Sequence, residues 1–147
     1  VIFDPVHDEL FHAVAGHGAT LNAQPLICPA DTAINRGSIV TGYCNRSTKH
    51  STTTLIGEIL TRDGVFHRNG SGALSLAYTA AGRLIGFVED HMNAWDCLAG
   101  HLIITEAGGR IGGQSADQMI AEGGRVVAAS AGIFDALVQI ADTAFNS

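Results

Sequence analysis

Apolar positions along the chain fall into short runs, parted by joints rich in glycine and polar residues, and their spacing switches repeatedly between strand-like and helix-like. Val1–Phe3 is a brief apolar run halted by Asp4-Pro5. "ELFHAVAGHGATLNAQPL" holds two runs around Gly16-His17-Gly18 and predicts a hairpin. "CPADTAINRG" is a turn-rich loop, "SIVTGY" a buried strand, and "NRSTKHS" a polar loop leading into a helix near Thr52–Thr61. "RNGSGALSLAYTAAGR" predicts a second helix, with Ser71 as its N-cap and Gly82 just past its last turn. "LIGFVE" is a strand ending at Glu89, and a loop over 90–94 leads to a helix over Trp95–Ala107, closed by Gly108-Gly109. Short strands around Arg110–Ile111 and Arg125–Ala129 and a last helix over Ile133–Phe145 complete the pattern. Such alternation predicts an α/β fold, one layered domain over residues 1–147 with a mixed β-sheet flanked by helices.

The Trp95–Ala107 helix is apolar almost all round, which predicts a core element. Gly100 in its interior is unfavourable by about 1 kcal/mol relative to alanine, so a close packing partner is expected there. Asp96 breaks the pattern. It lies in the first turn, where unpaired backbone N–H groups and the helix dipole favour a negative charge, and that alone accounts for an isolated aspartate. Glu89 changes the picture, because a five-residue loop can return it to Asp96 at the carboxyl end of a strand, where α/β sheets bind ligands. Two carboxylates at one rim suit a hard cation such as Mg²⁺, or a polyhydroxyl ligand.

Composition narrows the function further. A net charge of −6, with Lys and Arg scattered singly, argues against a nucleic-acid-binding surface. No apolar stretch is long enough to cross a bilayer. Cys28, Cys44 and Cys97 make no zinc spacing and point to a reducing, cytoplasmic setting. His7, His12 and His17 stand five apart, alternate faces of an extended chain, and are expected on the surface. The glycine clusters complete neither GxGxxG nor a P-loop. The chain opens as if in mid-strand, which predicts a fragment of a longer protein.

"WDCLAGHLIITEAGG" resembles the second signature of the inositol monophosphatase family, WDxAAG followed by an apolar run and EAGG. "FDPVHDELFHAVAGHGATLN" is similar to that family's YDP hairpin, and "RNGSGALSLAYTAAGRLIGFVE" to its RxGSAAL segment. Three motifs in order make the resemblance specific. It implies the carboxy-terminal half of the inositol monophosphatase fold, in Mg²⁺-dependent, lithium-sensitive phosphatases that hydrolyse small phosphate monoesters and commonly form homodimers. On that resemblance Asp96 is a metal ligand and Glu89 accepts a hydrogen bond from a substrate hydroxyl. Gly70, Ser71 and Gly72 form a backbone wall against the sugar or inositol ring, and Arg68 is the arginine preceding it. Gly72 departs from the more usual alanine, which implies a slightly wider pocket.

Asp4-Pro5-Val6-His7-Asp8 superficially echoes the family's first metal motif, DPxDGT, but lacks its Gly and Thr and reads as a strand-to-turn feature. Neither DPxDGT nor the Glu-Glu pair that holds the family's metals occurs in the chain. Three expectations stay open. One is a fragment of a Mg²⁺-dependent phosphatase acting on myo-inositol monophosphate or a related ester by metal-activated water, inactive without the amino-terminal half of the same protein. Another keeps the fold and changes the substrate to a 3′(2′),5′-bisphosphonucleotide or histidinol phosphate. The third is a non-catalytic ligand-binding module.

Overall fold

A computed structural model describes residues 1–30 and 33–146. The turn-rich reading at Asp31 and Thr32 therefore lies outside the described residues. The amino-terminal part builds a four-stranded antiparallel sheet in the order β1-β2-β3-β4, from β1 (Ile2–Asp4), β2 (Glu9–Ala13), β3 (Ala19–Leu21) and β4 (Gln24–Leu26). The predicted hairpin is present, with Gly16 and Gly18 at positive φ in its turn. A second reversal follows at Asn22-Ala23, both left-handed. Alanine gives no turn signal at such a position. The turn is anchored instead by Asn22, whose Oδ1 accepts the Leu10 N–H at 2.7 Å while its Nδ2 donates to the Asp8 carbonyl.

The remainder forms a mixed sheet in the order β6-β5-β7-β9-β8, comprising β5 (Ser38–Thr41), β6 (Val65–His67), β7 (Gly86–Met92), β8 (Arg110–Gly113) and β9 (Gly124–Ala129). β5 runs parallel to β6 and β7, while β9 is antiparallel to β7 and β8. Helices α2 (Gly72–Ala80) and α3 (Ala94–Glu106) pack together between the two sheets, and α1 (Lys49–Leu60) and α5 (Phe134–Phe145) cover the opposite face of the mixed sheet. A short α4 (Ala116–Glu122) lies against α3. Two apolar cores result, one around Phe11, Leu76, Phe87 and Ile104, the other around Ile39, Ile59, Leu137 and Ile140.

Both ends of α2 follow the sequence. Ser71 Oγ accepts the Leu74 N–H at 3.2 Å, and Gly82 takes φ +71° just beyond the helix. β6 and α4 were not foreseen. All three β6 residues are exposed on an edge strand, so no alternation marks them. For α4 a signal existed: Ser115 and Gln118 form a capping box.

Helix α3 is less uniformly buried than its composition implies. Cys97, Gly100, His101, Ile103 and Ile104 are inside, but Trp95 is 79% exposed at the amino end, so the expectation of a wholly buried helix fails there. The expected close approach at Gly100 is real, since a Cβ there would lie 2.5 Å from the Leu76 Cβ. Gly100→Ala should accordingly destabilise the fold by about 1 kcal/mol or more, overpacking against α2 outweighing alanine's better helix propensity. Urea unfolding reads this directly, and an unchanged or higher midpoint would contradict the tight α2–α3 contact.

The Asp4 motif is a structural turn. Its buried carboxylate accepts hydrogen bonds from the Tyr78 hydroxyl, His7 Nδ1 and the Val6 N–H, and Tyr78 and His7 hold its pKa well below the usual carboxylate range. Asp4, His7 and Glu9 cluster closely enough to surround a cation. Their atoms already have partners, however, because both Glu9 oxygens bind Arg83 at 2.5 and 2.6 Å. His7, His12 and His17 are exposed, as expected.

Candidate active site

Parallel strands β5, β6 and β7 end at the same edge of the mixed sheet, and the segments that follow them enclose a cavity of about 370 Å³. Arg68, Gly70, Ser71, Gly72, Glu89 and Asp96 all line it. Residues 68–72 join β6 to α2, and the capped start of that helix fixes them. Asn69 Oδ1 accepts the Ser71 N–H at 3.3 Å and tightens the bend. At Gly72 a Cβ would meet the Met92 Cε at 2.6 Å. The volume of the usual alanine methyl is thus already filled by methionine, and the expected widening of the pocket is absent.

Glu89 does not end its strand. β7 continues to Met92, with its pairing to β9 slipping out of register between Glu89 and Met92. Such an irregularity bends a strand and re-aims side chains, a common device beside functional sites. Asp90 follows the strand and turns to Arg125, at 3.9 Å. Asn93 alone then separates β7 from α3, which begins at Ala94 and carries Asp96 in its first turn.

The half-buried Glu89 side chain lies across the end of β5. A Cβ at Gly42 would stand 2.0 Å from Glu89 Oε2, so glycine at that position is what admits the carboxylate. Burial raises the Glu89 pKa, and the charge of Asp96 raises it further, while Arg68 and Arg46 pull the other way. The neighbouring Cys97 thiol is pushed up to about 11 by burial and then by Asp96 and Glu89, which leaves it unreactive. Asp96 itself is exposed at the cavity mouth.

Tyr43, Cys44 and Arg46 also line the cavity and escaped the sequence reading, which treated their segment as a plain polar loop. The available signal was position, because the loop leaves the carboxyl end of a parallel strand. At Cys44 burial works to raise the thiol pKa, but hydrogen bonds involving Ser47 and Arg46 outweigh it and the net direction is down.

The far end of α3 is also occupied. Glu106 accepts the Gly16 and Gly18 N–H groups of the β2–β3 turn, each at 2.8 Å, and those bonds lower its pKa. One helix therefore reaches from the cavity to the antiparallel sheet.

Layered sheets and helices, with a carboxylate-bearing cavity at the carboxyl ends of parallel strands, define an α/β protein whose cavity lies where such sheets commonly bind ligands. The chain belongs to the inositol monophosphatase family, whose profile matches residues 1–144. It is 40% identical over 111 residues to the Nus factor SuhB of Salmonella typhimurium, a stretch covering 74% of this chain and 42% of that protein. Its fold matches an inositol monophosphatase from Anabaena with a TM-score of 0.84 at 30% identity, over 97% of this chain and 57% of the other. The extragenic suppressor protein suhB of Bartonella henselae gives 0.85 at 30% identity, over 95% and 55%. The chain thus spans about half the length of these relatives. Among the described residues no helix is long and apolar enough to cross a membrane.

Proposed function

We propose that this chain is the carboxy-terminal half of a Mg²⁺-dependent phosphatase acting on a small phosphate monoester such as myo-inositol monophosphate. The observation that carries the reading is the convergence of Arg68, Gly70, Ser71, Gly72, Glu89 and Asp96, drawn from two separate motifs, on one cavity. Mg²⁺ takes oxygen ligands and is commonly held by one or two carboxylates together with substrate oxygens. Asp96 offers such a carboxylate, exposed and beside the like charge of Glu89, and a cation there would relieve their mutual repulsion. When bound, the ion supplies Lewis-acid polarisation of the phosphoryl group and lowers the pKa of water.

This chain's own residues do the positioning. The backbone of Gly70, Ser71 and Gly72 forms one wall, against which the ring of the alcohol lies. Glu89 accepts a hydrogen bond from a ring hydroxyl, and Asp96 faces the phosphoryl end. The carboxylates that would complete a metal site belong, in this reading, to the amino-terminal half of the same protein.

The test is an assay of the full-length protein with Mg²⁺ and a series of phosphomonoesters. Glu89→Gln should lower kcat/KM for inositol 1-phosphate several-fold, because a charge-assisted hydrogen bond exceeds a neutral one by about 1 kcal/mol. An aryl phosphate without that hydroxyl should be much less affected. Equal losses on both esters would assign Glu89 to the metal or the loop instead, and absence of any Mg²⁺-dependent hydrolysis would remove the phosphatase reading.

A further inference from the structure

Of the seven histidines only His101 is buried, 8% exposed in the interior of α3. Ala94, Cys97, His101 and Ile104 stand three or four positions apart, so they form one stripe along the helix, and all four are inside. The Nε2 atom of His101 is shut away from the surface and has no hydrogen-bond partner among the described residues. No charge compensates it either. Helix α3 packs on α2, α4, β2, β3, β8 and β9. Of the ionisable groups on those elements, Tyr78 bonds Asp4, Glu9 bonds Arg83, Arg110 bonds Asp135 and Arg125 bonds Asp142. His12, Asp117 and Glu122 are exposed. On α3 itself Glu106 is taken up by the β2–β3 turn and Asp96 is exposed at the cavity mouth, each five positions from His101. Burial is accordingly the one cause that moves the His101 pKa, and it moves it down.

We propose that His101 is an acid-sensitive latch: its neutral ring lets α3 seat between the two sheets, and its protonation unseats the helix together with Asp96 and the Glu106 grip at its two ends. A neutral imidazole can leave Nε2 as a bare acceptor, whereas the protonated ring carries a donor on both nitrogens. A buried charge without a partner is far more unfavourable than an unpaired acceptor. The sign follows from linkage. Above the ordinary histidine value of about 6.5 the ring is neutral both folded and unfolded, and stability is unaffected. As pH falls through that value the unfolded chain takes up a proton that the folded one refuses, so stability is lost on the acid side. The other end of the same stripe underlies the cavity, since the Cys97 thiol feels both Asp96 and Glu89. Unseating the stripe therefore reaches the candidate site.

The experiment needs no turnover. Urea unfolding of the full-length protein at pH 7.5 and pH 5.5 is compared with that of His101→Gln, which stays polar but cannot charge, and of His101→Leu, which removes the orphaned nitrogen. The folding equilibrium constant of the wild type should fall between the two pH values by up to about tenfold more than that of either variant. His101→Leu keeps the comparison available if the glutamine does not fold. Equal pH dependence in the wild type and both variants overturns the latch. Amide hydrogen exchange, corrected for its intrinsic pH dependence, reads the location. On acidification the wild type should lose protection in α3 ahead of α5, and His101→Leu should not. A loss spread evenly over α3 and α5 overturns the assignment to this helix.

Discussion

The 147 residues by themselves should release no phosphate from any monoester, and activity should appear only when the amino-terminal half is present. Among the described residues, the carboxylates lining the cavity are Glu89 and Asp96. Glu89 is turned over the end of β5, and its environment favours the protonated form more than that of an ordinary glutamate. Asp90 is engaged on the other side of the strand by Arg125. The other clustered carboxylates, Asp4 and Glu9, are already bound to Tyr78, His7 and Arg83. One exposed aspartate does not assemble the coordination that Mg²⁺ requires for phosphoryl transfer. The purified chain, assayed with millimolar Mg²⁺ and several phosphomonoesters, should remain at background. Lithium-sensitive turnover by the chain alone would mean that a metal site is built from residues assigned here to structure.

Asp96→Asn in the full-length protein should lower kcat by roughly a hundredfold or more while leaving the unfolding midpoint within about 0.5 kcal/mol of wild type. Asparagine keeps the shape and the helix-start position but removes the charge, and Lewis-acid stabilisation is worth several kcal/mol at about 1.4 kcal/mol per tenfold in rate. Because Asp96 is exposed in the first turn of α3, its favourable interaction with the helix dipole is worth only about 0.5 kcal/mol. Raising Mg²⁺ should recover only part of the loss. Wild-type rates at saturating Mg²⁺ would show that Asp96 is a helix-start acid and nothing more.

Much of this site was legible because its residues are punctuated locally. Ser71 caps a helix, Gly82 ends it, and Asp96 interrupts an apolar run, so each announces itself within a few positions. Other features depend on partners distant in sequence. Trp95 looked like core because it is apolar, but only tertiary placement decides which flank of α3 is covered. The close fit of Gly42 to Glu89 joins residues forty-seven positions apart and leaves no local trace. The Arg46 loop carries no motif, and its place along the cavity follows only from strand order. The slip in β7 likewise arises from pairing with β9, so a simple strand ending at Glu89 was the natural expectation and an incomplete one.

Helix α3 acts as a ruler. Its first turn presents Asp96 to the cavity, and its last residue, Glu106, grips the β2–β3 turn of the other sheet. A single residue inserted between them would rotate one contact against the other by about 100° and lengthen the span by about 1.5 Å, so both could not be kept. The reading frame of this segment is therefore rigid in length as well as in content. In natural variants of the protein the ten-residue interval from Asp96 to Glu106 should stay fixed even where its apolar residues are exchanged.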